Sequence, residues 1–486
     1  MSAAIVLQLQ IVKFSKRKTM LNDEERKPKD YYNIVYLITM LHGIGILIPW
    51  NMFITIAPSY FVGYKLLITD SDGVKHETKY SLNFFSYIGV CSQLPNLLLS
   101  FLNIFVQIKG GLQRRIIVSL IVIGTLCLIT VIFALIDTSS MVAAFFFITI
   151  FTVVLLNAAT GIYQNSLYGI VASFPPRFTN AIVLGNNVCG LFVSIVNIIT
   201  LVASNSIQNA AVAYFSIALF TIIACFVSFI MLPKFVSGCD VFSSLGLDCQ
   251  LRYLESFLLE FYNYYIAKSE IESLDEDLIN KNQTKWQIYC AVLKKIWVQC
   301  FNVFFVFFVT LAIFPAIMAD VRLWRSDGVY DFFIPEFLFT PITTFLLFNT
   351  LASIGSAFAS FVQWPSPRYL VIPVVLRLLL LPAMMFCNYR PNLRTWPVLI
   401  TNEYIYFALG LVMSFTCGYF SSLAMMYAPR LVEKSKASIA GMISAFFLIF
   451  DQGVIAVTRV FCGIASTFAI SYFTDHMGPQ ERIQQP

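Results

Sequence analysis

The sequence predicts an all-α polytopic membrane protein with eleven transmembrane helices in a six-plus-five arrangement. Of its 486 residues, 58% are hydrophobic and 12% are charged, whereas a soluble domain averages about 45–50% apolar and about 25% charged residues. The mean hydropathy is +0.77. Eleven apolar runs are each long enough to cross a bilayer, which takes about 20 residues. One long polar interruption separates the first six runs from the last five.

The apolar runs predict the spanning helices in chain order. They lie at 33–58, 83–107, 115–136, 142–173, 180–204, 210–233, 298–318, 335–363, 369–388, 403–427 and 438–470. Several exceed the minimum length, so we expect tilted or kinked helices. Span 1 contains Pro49, Trp50 and Asn51 in succession. Because proline frees a backbone carbonyl that hydrocarbon cannot satisfy, this span should face protein or a pathway rather than lipid.

The charges between the spans predict the orientation and the segments of the chain. With the amino terminus in the cytoplasm, 22 Lys and Arg residues fall on the inner side and 8 on the outer side, as the positive-inside rule requires. Residues 1–30 contain no cleavable signal peptide pattern. The predicted segments are a cytoplasmic amino-terminal segment (1–32), a six-helix bundle (33–236), a cytoplasmic linker loop (237–297), a five-helix bundle (298–470) and an extracellular tail (471–486). The plasma membrane is the default location, although no sorting signal excludes an internal one.

Two similar segments favour an internal repeat. Residues 161–167 in span 4 resemble 418–423 in span 10, and each segment precedes a Pro-Arg pair, Pro176-Arg177 or Pro429-Arg430. A helix start rich in small residues then follows in both halves. Two homologous bundles are the layout of an alternating-access carrier.

The sequence lacks the motifs that nucleotide-driven transport, metal binding and enzyme catalysis require. No phosphate-binding loop occurs, and the spans contain no paired His or Cys ligands. No motif combines a nucleophile, a base and an orienting group. We therefore expect no cofactor, no metal site and no enzyme activity. The net charge of +6 comes from Lys and Arg residues on the inner side of the membrane, so we expect no nucleic-acid partner. The lipid bilayer is the expected surrounding. The oligomeric state is not predicted.

The spans contain a sparse set of amide and aromatic side chains. For any one amide, the ordinary role is a hydrogen bond between helices. Together they would suit a neutral solute that has donors, acceptors and a flat face. These residues are Trp50, Asn51, Asn157, Gln164, Asn165, Asn186, Asn187, Asn349 and Gln452.

The motifs in the spans resemble those of the equilibrative nucleoside transporters. Span 1 has the pattern Gly43-x-Gly45-x-Leu47-x-Pro49-Trp50-Asn51, and further similar motifs follow in the same order along most of the chain. They are 164–169 with Pro176, 185–190, 314–316, 364–365, Arg377-Leu378, 418–419, 440–441 and 445–448. The resemblance implies eleven helices in a major-facilitator-like fold and facilitated diffusion of nucleosides.

The resemblance also implies where substrate binds. Family members hold it in a central cavity, and the matching positions here are Leu47, Trp50, Gln164 and Asn349. The chain departs from the family in span 8, where Ala352 replaces an aspartate and Ser356 replaces an arginine. In the family this charged pair takes part in substrate recognition, so its loss bears on selectivity.

Span 11 carries two charges of its own, Asp451 and Arg459. Charges at membrane depth are costly unless they are paired or hydrated. We hypothesise that Asp451 partly substitutes for the missing span 8 carboxylate, and that proton coupling through Asp451 or His42 is possible. Facilitative transport of nucleosides, or of nucleobases, is the main expectation. The alternatives are a carrier of the same fold for another substrate, such as an organic cation, proton-coupled nucleoside transport, and a non-transporting receptor or scaffold.

Overall fold

The computed structural model describes residues 33–69, 75–82, 84–105, 111–203, 206–234, 285–315, 317–318, 321–323, 331–389 and 398–450. Six features of the sequence lie outside these residues. They are the amino-terminal segment 1–32, residues 237–284 of the linker loop, Asp451, Gln452, Arg459 and the tail 471–486.

The first half of the described chain consists of six long helices. Helix α1 continues beyond Ala57 as a π-helix, Pro58–Lys65, which begins at the second proline of this segment. The helices are α1 (Ile34–Ala57), α2 (Phe84–Phe105), α3 (Gly111–Leu135), α4 (Val142–Val171), α5 (Pro176–Ala203) and α6 (Ile207–Lys234).

The second half contains more broken helices. The described helices are α7 (Lys285–Ile313), α8 (Glu336–Ala359), α9 (Val371–Phe386), α10 (Glu403–Arg430) and the described part of α11 (437–450). Helix α8 includes a π-helical segment, Pro341–Leu346. Helix α9 passes through a 3₁₀ turn at Arg377–Leu379. Helix α7 begins within the predicted linker loop, because residues 285–297 form its first turns.

Nine helices of the described chain are long and apolar enough to cross a membrane. They correspond to predicted spans 1–8 and span 10. Helix α9 is a shorter apolar helix at the position of predicted span 9, and residues 437–450 begin predicted span 11. The helical membrane fold predicted from hydropathy is therefore confirmed.

A small β-hairpin is a departure from the all-α prediction. Strands β1 (Leu67–Thr69) and β2 (Lys75–Glu77) pair antiparallel in the connection between α1 and α2, with Ile68 opposite His76. A short helix, Lys79–Leu82, follows. Thr78 fixes its start, since its hydroxyl donates to the Leu66 carbonyl at 2.7 Å and accepts from the Ser81 backbone N–H at 3.1 Å.

Glycines allow close contacts between the helices. A Cβ atom on Gly43 of α1 would overlap the carbonyl oxygen of Ile182 on α5. In the second half, a Cβ on Gly418 of α10 would overlap the carbonyl oxygen of Ala352 on α8. Small residues let helix backbones approach in a bilayer, where lipid-facing and protein-facing surfaces are equally apolar. The two contacts fix α1 against α5 and α8 against α10.

Contacts between the two halves bring α5 against α8, and α4 against α11. A Cβ on Gly190 of α5 would overlap the amide oxygen of Asn349 on α8. A Cβ on Gly441 of α11 would come within 2.6 Å of the carbonyl oxygen of Tyr168 on α4. These two interfaces therefore join the halves through close helix contacts.

Candidate functional site

Leu47 and Trp50 lie one turn apart on α1, around Pro49. Both side chains are half-buried. The Trp50 ring is nearly parallel to that of Phe53, with an angle of 9° between the planes and 6.1 Å between the centroids. Because Phe53 is buried, this contact holds the indole while part of it stays accessible. A half-buried aromatic ring can stack on a flat ligand.

Gln164 is a buried amide that lacks a hydrogen-bond partner at its nitrogen. The side chain lies on α4 and is 2% exposed, and its Nε2 atom has no hydrogen-bond partner in the structure. A buried, unsatisfied N–H group costs about 1–3 kcal/mol. Other amides of the described chain, among them Asn96 and Asn186, also have a buried atom without a partner, so this feature alone does not distinguish a binding residue from a structural one.

The neighbouring amide, Asn165, has hydrogen-bond partners at both its nitrogen and its oxygen. Its Nδ2 donates to the Met442 carbonyl of α11 at 2.7 Å, and its Oδ1 accepts from Asn103 Nδ2 of α2 at 3.0 Å. Asn103 in turn accepts a hydrogen bond of 2.9 Å from Arg115 Nη1 on α3. Asn165 thus belongs to a network that joins α2, α3 and α4 to the second half of the molecule.

Asn349 on α8 faces α5. Its Nδ2 donates to Ser194 Oγ at 3.1 Å and to the Phe345 carbonyl at 2.9 Å. The side chain is half-buried. It therefore combines a contact between the halves with partial access for a ligand.

The two positions that depart from the nucleoside transporter pattern are closed to solvent. Ala352 and Ser356 are both 0% exposed. The Ser356 hydroxyl accepts a hydrogen bond of 2.6 Å from Asn187 Nδ2 on α5 and donates to the Gly418 carbonyl at 3.2 Å. Asn180, which lies two turns before Asn187 on α5, donates to the Ser356 carbonyl at 2.8 Å. Neutral hydrogen bonds therefore occupy the place of the charged pair.

His42 lies inside the first half of the molecule. A hydrogen bond of 2.6 Å joins its Nδ1 to the Tyr163 hydroxyl on α4, and Ser228 Oγ on α6 lies 3.4 Å from its Nε2. The ring is 2% exposed and packs edge-on against Phe229. Both ring nitrogens have partners from neighbouring helices, so His42 connects α1, α4 and α6.

Arg377 is a buried cation that neutral acceptors surround. Its guanidinium donates to the Val306 carbonyl at 2.8 Å and to Thr310 Oγ1 at 2.9 Å, both on α7. On α10 it donates to Thr416 Oγ1 at 3.1 Å and to the Met413 carbonyl at 3.1 Å. It therefore connects α7, α9 and α10 within the second half.

The four predicted substrate contacts lie on three helices, α1, α4 and α8, and α5 packs between α1 and α8. Helix α1, with Leu47 and Trp50, packs on α5, and α5 packs on α8, with Asn349. Gln164 lies on α4, whose Tyr163 contacts α1. Asp451 lies outside the described residues. Sequence reasoning missed the roles of Asn180, Ser194 and Ser228, because single small polar residues in apolar helices give no periodic signal.

This arrangement offers neutral donors, acceptors and an aromatic face. In the described ranges, no three His, Cys, Asp or Glu side chains come close enough to hold a metal ion. Each of the four predicted contacts, Leu47, Trp50, Gln164 and Asn349, is uncharged, so each can offer a ligand only hydrogen bonds, apolar contact or stacking.

Comparison with solved structures gives the class of protein. The fold is similar to that of the major facilitator superfamily proton:xylose symporter XylE, solved with 6-bromo-6-deoxy-D-glucose, with a TM-score of 0.61 over 90% of each chain. The sequence identity is 9%, so the likeness concerns the fold alone. The chain is a multi-pass membrane protein with the major-facilitator fold.

Comparison of sequences gives the family. The profile described as "Nucleoside transporter" matches residues 150–460, and the chain belongs to this family. It is 28% identical to equilibrative nucleoside transporter 1 of Homo sapiens over 466 residues, covering 87% of this chain and 95% of the relative. It is 29% identical to equilibrative nucleoside transporter 2 of Homo sapiens, with the same coverage of both chains. The resemblance drawn from the motifs is confirmed.

Proposed function

We propose that this protein carries nucleosides down their concentration gradient by alternating access. Its family membership and its relatives, equilibrative nucleoside transporters, support the substrate class. The match of the nucleoside transporter profile to residues 150–460 carries the proposal, and the buried amide nitrogen of Gln164, which has no hydrogen-bond partner in the described structure, is compatible with it. This nitrogen is a donor for which a nucleobase carbonyl or ring nitrogen is a suitable partner.

Leu47, Trp50, Gln164 and Asn349 are the proposed substrate contacts. Trp50 stacks on the base, Gln164 donates to it, Leu47 provides apolar contact, and Asn349 bonds the sugar or the base. Two of these groups are already held in place, Trp50 by the Phe53 ring on the same helix and Asn349 by Ser194 on α5. Fixed partners reduce the entropy lost when the substrate is ordered.

The proposed mechanism requires that contacts between the halves break in turn. The bond from Asn165 to the Met442 carbonyl and the bond from Asn187 to Ser356 both cross from one half to the other. Each is a neutral hydrogen bond, worth about 0.5–1.5 kcal/mol net, so thermal motion can break either. Such weak crossing bonds suit a carrier whose two states have similar free energies.

The proposed topology has eleven spans in a six-plus-five arrangement. It places the amino terminus and the 237–297 segment in the cytoplasm and the carboxyl tail outside, with the plasma membrane as the location. The excess of Lys and Arg on the inner side supports it. Cysteine labelling with a reagent that cannot cross the membrane tests this topology in intact cells. Single cysteines introduced as Gly73→Cys and Gln480→Cys should react. A single cysteine introduced as Glu260→Cys should react only after permeabilisation.

Uptake into proteoliposomes tests the proposed function. Purified protein should give saturable uptake of radiolabelled uridine and adenosine. Net uptake should end when the nucleoside concentration inside the vesicles equals that outside. A labelled nucleobase and an organic amine, measured in the same vesicles, address the alternative substrates. Saturable amine uptake without nucleoside uptake would establish the alternative carrier, and the absence of any saturable flux would favour a receptor or scaffold.

A further inference from the structure

A cavity of about 750 Å³ lies at the end of the molecule that carries the connection between α1 and α2. Strands β1 and β2, the short helix at Lys79–Leu82, and the first turns of α2 and α4 enclose it. It is separate from the proposed substrate contacts, since its lining includes none of Leu47, Trp50, Gln164 and Asn349. Its lining includes His76, Lys79, Tyr80, Tyr87, Phe147 and Ile150.

Aromatic rings form one wall of this cavity in a fixed arrangement. Phe146, which is buried, packs against Tyr80 with ring centroids 4.7 Å apart and against Tyr87 at 5.7 Å. It also contacts the ring of Phe147 at 5.5 Å. One buried side chain therefore supports three rings that line the cavity.

The polar and apolar parts of the cavity lie at different levels. His76 and Lys79 come from the hairpin and the short helix, which cap the bundle, and both side chains are exposed. Phe147 and Tyr87 belong to the first turns of the spanning helices α4 and α2 and are 62% and 51% exposed. Tyrosine at such a level marks the boundary between headgroups and hydrocarbon. The cavity thus joins a rim that carries the Lys79 cation to exposed aromatic side chains of the spanning helices α2 and α4.

We propose that this cavity binds a phosphatidylcholine molecule of the surrounding bilayer. His76 and Lys79 contact the phosphate, and the rings of Tyr80 and Tyr87 contact the trimethylammonium group. Quaternary ammonium groups are attracted to aromatic rings, whereas an anionic headgroup without a cation would leave these rings without a polar partner. One acyl chain lies along Phe147 and Ile150. The Lys79 cation next to the rings of Tyr80 and Tyr87 matches the two charges of a zwitterionic headgroup.

Native mass spectrometry of the full-length protein tests this proposal. The protein is reconstituted in vesicles of equimolar phosphatidylcholine and phosphatidylglycerol and extracted under mild conditions. Wild-type protein should retain phosphatidylcholine in preference to phosphatidylglycerol. Tyr87→Ala and Lys79→Gln should each lower the retained fraction by about fivefold, as loss of one cation–π or one charged contact implies.

Two matched variants control for general effects on lipid binding. Phe220→Ala removes an aromatic side chain that is 73% exposed on α6, outside the cavity, and Lys434→Gln removes an exposed cation that follows α10. Both should retain phosphatidylcholine as wild type does. Equal loss in all four variants, or equal retention of the two lipids by wild type, would overturn the proposal.

A crosslinking experiment on the wild-type protein keeps the proposal testable if a variant does not fold. Phosphatidylcholine with a photoreactive diazirine in one acyl chain should label peptides that contain residues 146–150 or 84–88. Labelling confined to other helices would contradict the proposal. If glycerophosphocholine, which lacks acyl chains, prevented this labelling at the lipid's own concentration, the site would belong to a soluble solute and the proposed lipid would be wrong.

Discussion

Asn187 Nδ2 on α5 lies 2.6 Å from Ser356 Oγ on α8, and this hydrogen bond joins the two halves of the molecule. Ser356 stands where the nucleoside transporter pattern noted above has an arginine. The serine is fully buried and also donates to the Gly418 carbonyl of α10. A charged group in this place would need room and a counter-charge. In this chain a neutral contact between helices stands at the position where that pattern has one member of a charged pair.

The first prediction concerns this hydrogen bond. Asn187→Ala and Ser356→Ala should each lower the thermal stability of the purified protein, and the double variant should lose less than the sum. The coupling should be about 0.5–1.5 kcal/mol, the net value of a neutral hydrogen bond. Thermal unfolding in detergent, converted to free energies, measures it. Strictly additive losses would show that the two side chains do not interact.

The second prediction concerns the sugar of the substrate. The proposed contacts Leu47, Trp50, Gln164 and Asn349 are all neutral, so any hydrogen bonds that they make to the ribose hydroxyls contribute less than charged ones would. Replacing uridine by 2′,3′-dideoxyuridine should therefore reduce uptake less in this protein than in human equilibrative nucleoside transporter 1. Competition against labelled uridine in matched proteoliposomes compares the two. An equal or larger loss in this protein would contradict the prediction.

The third prediction separates two adjacent amides. Gln164→Leu should abolish most nucleoside uptake and leave thermal stability unchanged or higher, because the Gln164 Nε2 atom has no partner to lose. Asn165→Leu should lower stability by about 1–3 kcal/mol, since the Met442 carbonyl loses its hydrogen bond from Asn165 and Asn103 loses one of its acceptors. Uptake and thermal unfolding are measured on both variants. A stability loss in Gln164→Leu as large as that in Asn165→Leu would assign Gln164 a structural role.

The fourth prediction concerns the close contact of α1 with α5. Gly43→Ala should destabilise the protein by about 1–3 kcal/mol, because the added methyl group meets the Ile182 backbone and the helices must move apart. Gly89→Ala on α2 is the matched control, since open space surrounds that position. It should be neutral or stabilising by about 0.5–1 kcal/mol through the higher helix propensity of alanine. Thermal unfolding compares the two, and equal effects would argue against the contact.

The fifth prediction addresses proton coupling at His42. Its two ring nitrogens have partners in Tyr163 and Ser228, so an imposed pH gradient should leave nucleoside uptake unchanged. His42→Leu should cost about 1–3 kcal/mol by leaving the Tyr163 hydroxyl without this partner, and adding Tyr163→Phe should recover part of that loss. Uptake that rises with an inward proton gradient and no longer does so in His42→Leu would establish coupling instead.

Several elements of the fold could be predicted from the sequence because the bilayer imposes them. A spanning segment must satisfy its own backbone and present apolar side chains, so length and hydropathy alone predicted helices such as α3 and α4. The prediction was less accurate at α7, whose first turns include Lys294 and Lys295 and were assigned to the linker loop. Charged residues near a helix end reach the interface without ending the helix.

The sequence by itself determined the membrane class, the order of the spans and, through the motifs around Trp50 and Gln164, the family. Only the tertiary structure decided that Gln164 lacks a partner while Asn165 has several, and that Asn187 bonds Ser356, 169 residues away. The reason is physical: a helix that is apolar on all sides carries no periodic pattern to show which face meets its neighbour. The rotation of each helix, and with it the partner of each amide, follows from packing at positions such as Gly43 and Gly418.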